Sequence, residues 1–290
     1  MRYQRLFGWV ALGGALAATT VVFSQFRWRA RLDALNAQLD RPPAARIGAT
    51  SADGDWRAAA ATAPAPVARY LLKSIRGETA DIRRVDLVTA GEFRGSADAA
   101  WLPFHASQRF TTLPAGFVWD ARVRMTRLLD VYVRDAYVDG RGEMVASVGG
   151  TWTVASDADT APLADGQLMR YLGETMWFPT ALVPRRNVTW TPIDDRSALA
   201  TIADGDRAVA LKFTFSADDD IIEVSAPDRM RAVPGGYVPT PWTVRCSAHN
   251  WRGTVRIPTR CEAEWQLPAG PLAYWRGDVV SIRFDTAFQD

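Results

Sequence analysis

Two short stretches hold the side chains best suited to binding or turning over a small molecule. Arg134, Asp135, Tyr137, Asp139 and Arg141 cluster near a hairpin, and Arg170, Tyr171 and Glu174 share a helical segment. Asp135 has the same strand parity as Leu129, Val131, Val133 and Tyr137, so alternation aims it at the apolar side. A carboxylate turned inward must be paired or neutralised, and Arg170 or Arg141 is its partner. The favoured outcome is a structural ion pair fixing the helix on the sheet. Its rival is a carboxylate-dependent hydrolase or lyase using Asp135, Glu174 and His105 as general acid and base.

Other reaction types lack their residues. The chain contains no HExxH, GxSxG, CxxC or phosphate-binding glycine loop, and Gly140-Arg141-Gly142 lacks the third glycine of a dinucleotide fingerprint. Two histidines cannot build a multi-histidine metal site. His249 reads as a solvated side chain on a polar strand face, and His105 as a polar group in a pocket or a satisfied structural histidine. Asp157, Asp159 and Asp165, and separately Asp218 to Asp220, lack the spacing of a calcium loop and read as solvated loops. Cys246 and Cys261 fall on the apolar side of neighbouring strands. They read first as buried free thiols, with a disulfide as the alternative if the body is exported. No metal or cofactor is expected.

The elements that would position these groups show mostly a period of two. Phe117, Trp119, Ala121, Val123 and Met125 alternate with polar residues. So do Val209 to Phe215, Trp242 to Ala248 and Val255 to Leu267. Strands with one apolar and one wet face belong to antiparallel sheet covered on one side. Turn signals at Asp139-Gly140, Asp204-Gly205, Asp218 to Asp220, Gly235-Gly236 and Asn250 to Gly253 separate about eleven candidate strands between Ile82 and Phe284. Helical spacing is confined to Val67 to Ile75 and Asp165 to Met176. The expected class is mainly β (α+β), a large curved antiparallel sheet or open half-barrel with one or two helices across its apolar face.

Ahead of this body, residues 6 to 26 carry no ionisable side chain, which at 1.5 Å per residue is enough to cross a bilayer core of about 30 Å. Trp9 and Trp28 flank the run as interfacial aromatics would. A cleaved signal peptide competes, because Ala15-Leu16-Ala17 has the small-x-small form. The apolar run continues through Val21 to Phe23 into an Arg cluster, which favours an uncleaved anchor. The organisation expected is an anchor over residues 1–31, a helical stalk or Ala/Pro-rich linker over 32–63, and a β-rich soluble domain over 64–290. A short basic N-terminus places the anchor in the inner membrane with the body on the periplasmic or extracellular side, although charge alone leaves a cytoplasmic orientation open. The net charge of +2 becomes −3 once Arg2, Arg5, Arg27, Arg29 and Arg31 are set aside. A slightly acidic body argues against nucleic acid as a partner.

Several stretches resemble an uncharacterised bacterial family with a domain of unknown function. They include Arg69-Tyr70-Leu71, Gly116-Phe117-Val118-Trp119, Arg134-Asp135 through Asp139-Gly140-Arg141-Gly142, and Arg170-Tyr171-Leu172-Gly173-Glu174 with Trp177 through Leu182. The resemblance spans roughly residues 64 to 284 and implies no activity. More remotely, the pattern is similar to the half-barrels of bacterial lipoprotein carriers, in which a curved sheet holds acyl chains beneath helices. The expected function is therefore a membrane-tethered, non-enzymatic binding protein of the envelope with an apolar cavity for lipid or another amphiphile. The ligand-binding residues expected are Trp101, Phe104, Phe117, Trp119, Asp135, Arg170, Tyr171, Glu174 and Trp177. The alternative is a structural or protein-interaction module in which the same aromatics fill a core.

Overall fold

The computed structural model describes residues 22–41, 55–77, 82–127, 129–184 and 187–286. Within them one antiparallel sheet holds thirteen strands. These are β1 (Ile82–Phe93), β2 (Leu102–Thr112), β3 (Ala115–Arg124), β4 (Asp130–Val138), β5 (Arg141–Val148), β6 (Trp152–Ala158), β7 (Val188–Asp194), β8 (Ser197–Asp204), β9 (Arg207–Phe215), β10 (Ile221–Val233), β11 (Gly236–Arg252), β12 (Val255–Leu267) and β13 (Gly270–Thr286). Sequence alternation suggested about eleven. Two-residue connections such as Leu113-Pro114 between β2 and β3 divide what composition presents as one run.

The spatial order β6-β5-β4-β3-β2-β1-β13-β12-β11-β10-β9-β8-β7 describes two meanders joined where the first strand pairs with the last. The seam needs a glycine. A Cβ on Gly91 would lie 2.0 Å from the carbonyl oxygen of Arg276, so only a bare backbone lets β1 and β13 approach as they do.

Helix α4 (Ala161–Glu174) follows edge strand β6 and crosses the concave face, touching β3, β4, β5, β9 and β10. Pro162 sits in its first turn, where the missing N–H costs nothing, and Leu163, Leu168, Tyr171 and Leu172 form its buried stripe. Two 3-10 turns, Thr175–Trp177 and Pro179–Leu182, lead back to the opposite edge strand, β7. Helix α3 (Ala65–Ser74) packs on β8 and β12 and stacks Tyr70 on Phe215, with ring centres 5.6 Å apart. The short α2 (Trp56–Ala61) packs against α3. One continuous core runs beneath these helices.

The outer face is less wet than alternation implied. Helix α1 (residues 22–39) lies along it, with Leu35 and Leu39 closing over Val118, Ala136 and Val138. Burying each of those leucines is worth about 1.5–3 kcal/mol. Gly116 is the close approach that permits this, since a Cβ there would meet Leu39 at 2.7 Å. Residues 6–21 of the expected membrane span lie outside the described residues. Among the described residues, no helix is long and apolar enough to cross a membrane.

Candidate functional site

Arg170 joins the two carboxylates singled out in the sequence. It projects from α4, and its Nη1 donates to Asp135 Oδ2 on β4 at 2.5 Å while its Nε donates to Glu174 Oε1 at 2.9 Å, one helical turn on. Gln108 Nε2 donates to the other Glu174 oxygen at 2.7 Å. Phe117 and Trp119 lie under the guanidinium, 5.0 and 4.9 Å from ring centre to carbon. Burial raises the pKa of Glu174, and the charge and hydrogen bonds of Arg170 and Gln108 only partly offset it. Burial opposes the charge of Arg170 too, but Glu174 and Asp135 outweigh it and its pKa is raised. Both acids are therefore held by one cation, an arrangement suited to locking α4 onto the sheet. Arg141 pairs instead with Asp159, at 3.9 Å.

Beside this cluster the concave face lines a partly open cavity of about 540 Å³, within the roughly 300–1,000 Å³ typical of small-molecule sites. Its walls are chiefly apolar: Val131, Val133, Met144, Ala146 and Ala155 from one meander, and Trp242, Val244, Ala263, Trp265 and Trp275 from the other. Asp135, Arg170 and Glu174 supply polar groups at its α4 side, with Arg229 and Arg231 on β10.

Of the expected ligand-binding residues, Trp119, Asp135, Arg170, Glu174 and Trp177 line this cavity. Phe104, Phe117 and Tyr171 do not. Phe104 is wedged between Trp119 and Trp275, Phe117 is buried under Arg170, and Tyr171 donates its hydroxyl to the carbonyl of Thr111 among Phe110 and Phe178. Inward parity puts a residue on the concave side, but the helices fill part of that side with packed core. Trp101 lies outside it, sandwiched between Arg94 and Arg276.

Other expectations need correction. His105 is exposed, because its neighbours Phe104 and Ala106 take the inward parity, so it stands away from Asp135 and Glu174. His249 is half-buried rather than solvated. The β11–β12 register runs unbroken from Ser247 to His249 past Ala248, whose φ is 56°, and the histidine ring nitrogen lies 2.8 Å from the Ile221 carbonyl oxygen. Burial lowers its pKa. The Asp218 to Asp220 turn is no solvated loop either: Asp220 is buried between Lys73 and Arg256, and Asp219 meets Arg69, which clamps α3. Asp157, Asp159 and Asp165 serve three different partners, Tyr237, Arg141 and Arg207. Cys246 and Cys261 face each other across β11 and β12 and form a disulfide, the alternative to free thiols.

The sequence profile of a family of unknown function, DUF6920, matches residues 61–284. The chain belongs to that family. A crystal structure of a LolA superfamily protein from Nitrosomonas europaea aligns with 74% of this chain and 92% of its own, at 14% identity and a TM-score of 0.30. None of the curated proteins matches the sequence.

In this DUF6920 chain, the polar residues that sequence reasoning missed are Arg229 and Arg231. Strict alternation from Val224 and Ala226 would turn Asp228 and Met230 inward. The β10–β11 ladder takes in one extra residue between Ala226 and Arg229, and the bulge exchanges the two faces. Pro227, which cannot donate to the ladder, was the available signal.

Proposed function

We propose that this protein is a membrane-tethered, non-enzymatic binding protein of the bacterial envelope that holds a lipid or another amphiphile in its half-barrel. The observation that carries this reading is the cavity of about 540 Å³ beneath α4, walled by aliphatic and indole side chains. Among the described residues that line it there is no serine, threonine, histidine or free cysteine beside its carboxylates, and the arginine between them is committed to both.

Two features support the tether. The cavity is lined near the strand ends, by Phe93, Val123, Val131, Ala232 and Trp275, at the end of the half-barrel that carries the connections 125–129 and 149–151. There Met125, Leu129, Trp152 and Val154 expose apolar side chains, Trp152 to 76%. The start of α1 lies at the same end, with Gln25 against Gly150, so residues 22–26, the last of the apolar run, lie beside the rim. The Cys246–Cys261 disulfide suits an oxidising compartment outside the inner membrane.

Native mass spectrometry of the full chain released from a nanodisc tests the reading. The wild type should carry co-purified lipid, and Ala146→Trp, which projects an indole into the cavity, should carry much less. A wild type that is always empty would overturn the proposal.

A further inference from the structure

Resting on the binding-protein reading, we infer that the cavity selects a negative charge: Arg229 and Arg231 form the site for the carboxylate or phosphate head of an anionic amphiphile. Arg229 lies flat against two cavity tryptophans, 4.4 Å from the Trp242 ring centre and 5.4 Å from that of Trp265. Its Nη2 donates to the Gly166 carbonyl of α4 at 3.1 Å, and its Nε is buried with no hydrogen-bond partner. Arg231, two residues on along the same strand face, makes only a 3.4 Å contact from Nε to Thr240 Oγ1 among the described residues.

Neither arginine has a carboxylate within ion-pair distance among the described residues, whereas Arg170, the third cation of the cavity, is closed by Asp135 and Glu174. The cavity acids are thus already used. A buried donor without a partner costs about 1–3 kcal/mol, and a guanidinium held between indole faces and an apolar wall offers its free N–H groups in a medium where a charge-assisted bond is strong. An anion placed there would satisfy the orphan Nε of Arg229 and offset part of the positive charge of the pair, while its chain lies along Val244, Trp242 and Trp265. A purely structural clamp of β10 onto α4 accounts for the Gly166 bond and leaves Arg231 without a purpose.

The test uses the full chain in phosphatidylcholine nanodiscs, equilibrated with a diazirine-bearing hexadecanoate or with the matching hexadecanol, then photolysed and peptide-mapped. Comparing variants within the same bilayer removes differences in partitioning. The carboxylate probe should label cavity peptides of the wild type at about tenfold lower concentration than the alcohol. Arg229→Gln and Arg231→Gln should each shrink that preference, while Arg229→Lys, which keeps the charge, should retain most of it. Should Arg229→Gln fail to fold, Arg231→Gln carries the test. Equal labelling by acid and alcohol, unchanged in the variants, would overturn the anion site and leave the cavity reading standing. Absence of cavity labelling by either probe would overturn both.

Discussion

Arg134 and Asp135 are adjacent in the chain and serve opposite faces of β4. Arg134 is 1% exposed under α1, where it donates twice to Asp120 and once to the Trp28 carbonyl. Asp135 faces the concave side and receives Arg170 from α4. One dipeptide thus pins a helix to each surface of the sheet, which makes the two ion pairs the natural places to probe the fold.

Replacing Arg170 by Met should destabilise the protein by about 3 kcal/mol or more, because Asp135 and Glu174 would be left half-buried without their shared cation. Urea unfolding monitored by circular dichroism gives the value. A loss below about 1 kcal/mol would mean that water already screens the cluster.

Asp220 supplies a pH-dependent part of the stability. Burial acts to raise its pKa, but hydrogen bonds from Arg256 and Lys73 prevail and hold it below its ordinary value of 3.8. For a carboxylate depressed in the folded state, the stabilisation is complete above that ordinary value and is lost as pH falls from it through the folded value. Urea midpoints measured from pH 7 downward should therefore fall more steeply below about 3.8 in the wild type than in Asp220→Asn. Parallel acid limbs would contradict the assignment.

The disulfide closes a loop with a sequence separation of 15. Cross-links of that span constrain the unfolded chain by about 3 kcal/mol. Thermal melts should show the Cys246→Ala, Cys261→Ala double variant well below the wild type, with dithiothreitol shifting the wild type alone. Should the reductant move neither midpoint, the bridge is absent in solution.

The exposed rim should meet lipid. Single cysteines replacing Trp152 or Leu129, labelled with an environment-sensitive fluorophore in the full chain, should emit further to the blue in vesicles than in detergent-free buffer analogues of the fluorophore. Leu113→Cys, on the β2–β3 connection at the other end, should remain water-like. Water-like emission at all three positions would show that the rim stands clear of the bilayer.

Much of this architecture can be read from residue types because it rests on local physics. Period-two alternation marks Phe117 to Met125 and Trp242 to Ala248 as strands with one apolar side; the expected inward positions are buried from Phe117 to Val123 and from Trp242 to Cys246, while Met125 and Ala248 at the ends of the runs are exposed. The stripe Leu168, Tyr171, Leu172 marks α4. An inward Asp135 obliges a cation to approach, and burial makes that obligation independent of the details. Which cation does so was open between Arg170 and Arg141, since it depends on how α4 crosses β4. Likewise, composition cannot separate Trp119, which lines a cavity, from Phe117, which is packed two residues away on the same face.

Local sequence, then, specified strands, faces, the crossing helix and the need for an ion pair, because side-chain parity and the cost of burying charge act within a few residues. The tertiary structure settled the disulfide, the orientation of His249 and the inward turn of Arg229 and Arg231. The disulfide and the arginines depend on register, since Cys246 lies opposite Cys261 and a bulge follows Ala226, while His249 is set by the approach of the Ile221 carbonyl from a distant strand. Register belongs to a pair of strands, and a slip of one residue exchanges every side chain beyond it between wall and solvent.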